Sequence, residues 1–99
     1  MTFRIDYSIV ARHDIREIYQ YIAYHLCQPE AASRQINHNM EEIRSLEFMP
    51  MRYKLYEEEP WNSMGLRVLP VDNYLVFYLL NEVNGVVNIV HIMYVQKSI

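Results

Sequence analysis

Apolar and polar residues alternate at the start of the chain, with Phe3, Ile5 and Tyr7 set against Arg4 and Asp6. That period of two predicts a strand with one buried face. From Ala11 the period lengthens: Ile15, Ile18, Ile22 and Leu26 recur every three or four residues, with Arg12, Asp14, Arg16, Glu17 and Gln20 between them. This is the pattern of an amphipathic helix. Pro29 interrupts it and suits the first position of a second helix, where the missing N–H costs nothing. Ala32, Ile36, Met40, Ile43 and Leu46 supply the stripe of that helix, which ends near Phe48-Met49-Pro50. The remaining half is strand-like, and two turns set its register. Asn84-Gly85 between apolar runs predicts a type I′ hairpin, whose central residues both need positive φ, and Asp72-Asn73 predicts a second tight turn. Strands are expected at about 52 to 57, 65 to 71, 74 to 82 and 86 to 95, the last three joined as a meander. The predicted class is α+β, β-α-α followed by an antiparallel β-meander, with two helices packed on one sheet and a single domain over residues 1–99.

If both turns are two-residue loops, Val83 pairs with Val86 and Val71 with Tyr74. Counting back places Arg67 opposite Tyr78, and Tyr78 opposite His91. The face opposite this polar row holds Leu66, Val68, Pro70, Leu75, Phe77, Leu79, Val90, Ile92 and Tyr94. It is nearly all apolar and is the side the helices are expected to cover.

Composition narrows the function classes. The chain has 99 residues, 52% of them apolar, enough to fill a core without staples. One cysteine, Cys27, cannot form an internal disulfide, and four scattered histidines make no zinc pattern. The first residues show no basic leader ahead of an apolar stretch, and no apolar run is long enough to span a bilayer. A cytoplasmic protein without a membrane segment is therefore expected. Nine Lys+Arg against twelve Asp+Glu leave a formal charge of −3. Free-standing DNA binding, which asks for a basic face, is not expected.

Arg67, Tyr78 and His91 form a chemically workable set for metal-free phosphodiester cleavage. An arginine holds a phosphate bidentately, a histidine titrates near neutrality, and a tyrosine shuttles a proton if a nearby cation depresses its pKa. Each also has an ordinary structural role: an arginine stem packed on the sheet, and two core aromatics with satisfied polar atoms. His13, His25 and His38 fall on the predicted helices; His13 and Glu17 share a face, but two ligands without a third hold no metal. Glu57-Glu58-Glu59 reads as a solvated loop, and the six methionines as gap-filling core. Tyr19, Tyr21, Tyr24, Tyr53 and Tyr56 read as core or interface residues, because no basic groove surrounds them for stacking on bases.

From the first strand to the last the chain resembles the RelE/ParE superfamily of toxins from type II toxin–antitoxin modules. The resemblance rests on ordered motifs: Ala11-Arg12-His13-Asp14-Ile15-Arg16-Glu17-Ile18-Tyr19-Gln20-Tyr21-Ile22, then Pro29-Glu30-Ala31-Ala32, then Ile43-Arg44-Ser45-Leu46 with Pro50. Leu66-Arg67-Val68-Leu69, Asn73-Tyr74-Leu75-Val76-Phe77-Tyr78 and Val90-His91-Ile92-Met93-Tyr94 follow. It implies a small toxin without a cofactor, held inactive by a cognate antitoxin encoded beside it. RelE-like members cleave mRNA in the ribosome without a metal, whereas ParE-like members poison DNA gyrase by binding. Three departures count against the nuclease. Leu75 stands where family ribonucleases tend to carry arginine, Val95-Gln96-Lys97-Ser98 replaces a Gly-Arg-Arg-Asp-like tail, and the net charge is acidic. The expectation is therefore ParE-like inhibition, with Tyr94, Gln96 and Lys97 as target-binding residues. The alternatives are a ribosome-dependent nuclease using Arg67, Tyr78 and His91, and a degenerate member that binds its antitoxin without toxicity.

Overall fold

The structure, a computed structural model, describes residues 2–95. Gln96 and Lys97 lie outside the described residues. Strand β1 (Arg4–Tyr7) leads into helix α1 (Ile9–Gln20), continued by a π-helical turn at Tyr21–His25. Helix α2 (Pro29–Arg44) follows, ending in a 3₁₀ turn at Ser45–Glu47. After a second 3₁₀ turn at Pro50–Arg52 and the one-turn helix α3 (Trp61–Met64) come β2 (Arg67–Val71), β3 (Tyr74–Asn81) and β4 (Val86–Tyr94). The sheet order is β1-β4-β3-β2, with β1 parallel to β4 and the other pairs antiparallel. The chain thus has the predicted order, with Pro29 at the head of α2.

Local chemistry explains the helix boundaries. Ser8 Oγ accepts the Ala11 N–H at 2.9 Å, capping α1. The same hydroxyl donates to the Val90 carbonyl at 2.9 Å, so the cap also ties α1 to β4. Between the helices Cys27 adopts φ 56°, the left-handed conformation that stops a helix. On α2, Ala32, Asn39 and Ile43 are buried, and Asn39 is satisfied by Gln35 Nε2 at 2.9 Å. Burial therefore falls on the predicted stripe, with an amide included because it has a partner.

Five sequence-based expectations need correction. Residues 52–57 form no strand. They run along β2 through two backbone bonds, Tyr56 N–H to Leu66 O at 2.7 Å and Val68 N–H to Lys54 O at 3.1 Å. The hairpin after β3 is a four-residue loop, since Asn81 pairs with Val86. Only Gly85, at φ 66°, is left-handed there, and Asn81 Oδ1 accepts the Asn84 N–H, so the turn is not type I′. The longer loop pairs Tyr78 with Ile89, and a bulge between Phe77 and Tyr78 then sets His91 opposite Phe77. His91 is therefore on the face opposite Tyr78. Finally, the helices cover the other side of the sheet from the one expected: Leu69, Val71, Val76, Tyr78 and Ile89 form one cluster with Ala11, Ile43 and Leu46. Nor are Met49, Met51, Met64 and Met93 core filler, because they are exposed.

The Asp72-Asn73 turn matches its expectation, with Val71 opposite Tyr74 and Arg67 opposite Tyr78. Gly85→Val is expected to destabilise by about 1 to 2 kcal/mol, because a β-branched residue would be forced to positive φ. Thermal unfolding checks this; an unchanged midpoint would mean that the loop adopts another conformation.

Candidate functional site

Arg67 and Tyr78 are neighbours across β2 and β3, but their polar ends are turned to the backbone between α2 and β2. Arg67 Nη1 donates to Met51 O at 3.1 Å and Tyr53 O at 2.7 Å. Tyr78, fully buried, donates its hydroxyl to Pro50 O at 2.7 Å. Together they staple residues 50–53 to the sheet. Arg52 adds to the same joint: its guanidinium lies over the Tyr53 ring and donates to carbonyls of Ser45, Phe48 and Met49 as α2 ends. Burial pushes the Tyr78 hydroxyl up to about 12, and the nearby Arg67 and Arg52 only partly oppose it. The depressed tyrosine pKa that proton shuttling would need is replaced by a raised one, because desolvation of the phenolate outweighs the pull of the two cations.

His91 stands apart from that pair. Its Nδ1 is 2.6 Å from Asp14 Oδ2, and the same oxygen accepts the Ile92 N–H at 2.9 Å. The carboxylate accepts from the ring, so Nδ1 carries a proton and Nε2 is the outer nitrogen of the pair. The ring lies parallel to Phe77, with centroids 6.2 Å apart. Asp14 is nearly buried, with its side chain 13% exposed against 42% for His91. Its place follows from topology: β1 pairs only with Val86–Ile89, so α1 flanks the part of β4 that β1 leaves unpaired, and Asp14 satisfies that edge. Sequence reasoning counted Asp14 among the polar residues between the helix stripe, because nothing in a single sequence shows which strand edge a helix will flank.

His91 and Met93 line two concavities that meet over the edge of β4. One, about 390 Å³, lies on the outer face of the sheet among Tyr56, Trp61, Met64, Phe77 and Leu79. The other, about 660 Å³, lies between α1, the π-helical turn and α2, lined by Ile18, Ile22 and Leu26 with Asp14 and Glu17. The outer face is thus partly roofed by the segment around α3 rather than by the main helices. Trp61 and Met64 sit in a stretch with no period, so the alternation of apolar and polar residues gives no sign of this trough. Tyr94 lies on the rim of the second concavity, 57% exposed and edge-to-face with Tyr74 at 5.5 Å.

A model of the ParE toxin family of the type II toxin–antitoxin system parDE matches residues 5–98. The chain belongs to this family. Solved structures agree in fold. A chain of the chromosomal ParDE system of P. aeruginosa superposes with a TM-score of 0.79 at 18% identity, covering 96% of this chain and 98% of that one. A chain of the RelBE2 toxin–antitoxin complex of Mycobacterium tuberculosis gives 0.69 at 16% identity, with 95% and 92% covered. One of the archaeal RelE–RelB complex of Pyrococcus horikoshii OT3 gives 0.65 at 17%, with 99% and 100% covered. The comparison with curated protein sequences yields no match. As a ParE-family toxin, the chain has no helix among its described residues that is long and apolar enough to cross a membrane.

Proposed function

We propose that this ParE-family toxin is held by a cognate antitoxin and arrests growth by binding DNA gyrase, without chemistry of its own. The observation that carries this reading is the fate of the Arg67 and Tyr78 polar ends. A phosphate clamp must present its guanidinium to solvent, whereas Arg67 turns its Nη1 onto Met51 O and Tyr53 O. A proton shuttle must reach substrate, whereas Tyr78 is buried on Pro50 O. With His91 on the opposite face, no three-residue cleft is formed by that set. Exposed Tyr94 fits a binding role, and we extend that role to Gln96 and Lys97.

One observation favours the runner-up, a metal-independent mRNA endonuclease acting in the ribosome. Asp14 and His91 form the oriented carboxylate–imidazole pair of a general base, with Nε2 without a partner among the described residues. Among the described residues that line the concavity between α1 and α2, no Lys or Arg stands ready to hold a phosphate and supply the charge stabilisation that such a reaction draws on.

The solved relatives are toxin–antitoxin complexes, which supports a protein partner here. Induced alone, the chain should arrest growth, and co-expression of the adjacent gene's product should restore it and co-purify. An adjacent product that neither restores growth nor co-purifies would remove the toxin–antitoxin reading, and growth unaffected by the chain alone would leave the degenerate member.

A further inference from the structure

The trough over β4 is apolar along both arms, yet it holds a small set of charges, all of one sign. Among the described residues no Lys, Arg, Asp or Glu lines the outer arm, and the charged side chains of the helix arm are Asp14 and Glu17. Where the arms meet, Asp14 accepts from His91 Nδ1, which leaves Nε2 as the outer nitrogen. The Asp14 carboxylate places one negative charge at this corner. Glu17, exposed and 3.6 Å from His13, adds a second negative charge one helical turn further along α1. A carboxylate crossing here would meet like charge, whereas a cation meets opposite charge.

From this we infer that the trough takes a basic segment of the protein partner, one that places a lysine or arginine over the Asp14–His91–Glu17 corner with apolar side chains seated in the arms on either side. The outer arm accepts the bulkier apolar group, since Tyr56, Trp61 and Phe77 give it aromatic walls. The cation supplies what the arms lack, a hydrogen bond and a charge that fix the register of an otherwise apolar segment. The inference rests on the toxin–antitoxin reading and adds the chemistry of the antitoxin's contact.

The test uses the intact chain and the product of the adjacent gene, with dissociation constants measured by calorimetry at low and high salt. Glu17→Lys leaves the core untouched, because Glu17 is exposed, and should weaken the complex by about tenfold or more. His91→Leu should weaken it as well, while a circular dichroism melt shows the variant folded. Hydrogen exchange of the complex should protect a partner segment containing Lys or Arg between apolar residues. Reversing that residue to Glu should weaken binding to the wild-type chain and recover binding to Glu17→Lys. Affinity unchanged or improved by Glu17→Lys, or a protected segment without a cation, overturns the inference while leaving the toxin–antitoxin reading in place. Self-association of the chain alone that Glu17→Lys abolishes would assign the trough to a second copy and also overturn it. Absence of any complex removes both.

Discussion

Tyr78→Ala is expected to destabilise the fold by about 3 to 5 kcal/mol, a large share of the roughly 5 to 15 kcal/mol that holds a domain of this size. The ring is fully buried among Leu46, Ile43, Val76 and Ile89 at the centre of the sheet's helix-covered face, so its loss leaves a cavity that the surrounding elements cannot close. Tyr78→Phe separates the hydroxyl from the ring. It leaves the buried Pro50 carbonyl without its donor and should cost about 1 to 3 kcal/mol. The two variants also differ from wild type in pH dependence. The tyrosine pKa is about 12 in the folded chain against about 10 when unfolded. Between those values the unfolded chain has released a proton that the folded chain keeps. The stabilisation is therefore present in full below about pH 10 and is lost as pH rises from there to about 12. Melting curves across that window should show a steeper fall for wild type than for Tyr78→Phe; identical slopes would mean that the hydroxyl is exposed.

Much of the fold was legible because its signals are local. Pro29 marked the start of α2, the three-and-four spacing marked both helix stripes, and Asp72-Asn73 fixed β2 against β3 to the residue. The same kind of signal misled at Asn84-Gly85. A two-residue loop and the observed four-residue loop share that dipeptide and differ in whether Asn84 also takes positive φ, which the tertiary structure decides. The longer loop slides β4 by two residues and keeps its faces, and the bulge opposite Phe77 and Tyr78 then moves His91 to the other face. The choice of face failed for a related reason: both faces of β3 are apolar, so alternation could not say which one the helices would take. What decided it is a contact distant in sequence, the fit of Ile43 and Leu46 against Leu69, Val76 and Tyr78. The candidate site suffered most, since its alignment depended on both turns. Arg67 and Tyr78 do lie side by side, but whether a polar end meets solvent or the carbonyls of residues 50–53 depends on a loop without any sequence period. Asp14 became visible only when α1 was seen to flank the free edge of β4.

The central claim is that the toxin acts by binding gyrase and cuts nothing. The most direct measurement sets the purified wild-type chain and Arg67→Ala side by side in two assays, DNA supercoiling by gyrase and mRNA cleavage on translating ribosomes, at a temperature where both are folded. The account predicts that both proteins inhibit supercoiling and that neither leaves cleaved mRNA. Codon-positioned cleavage by the wild type that falls by about 10² to 10³ in Arg67→Ala, the loss expected on removing one preorganised donor to the transferring phosphate, would contradict it.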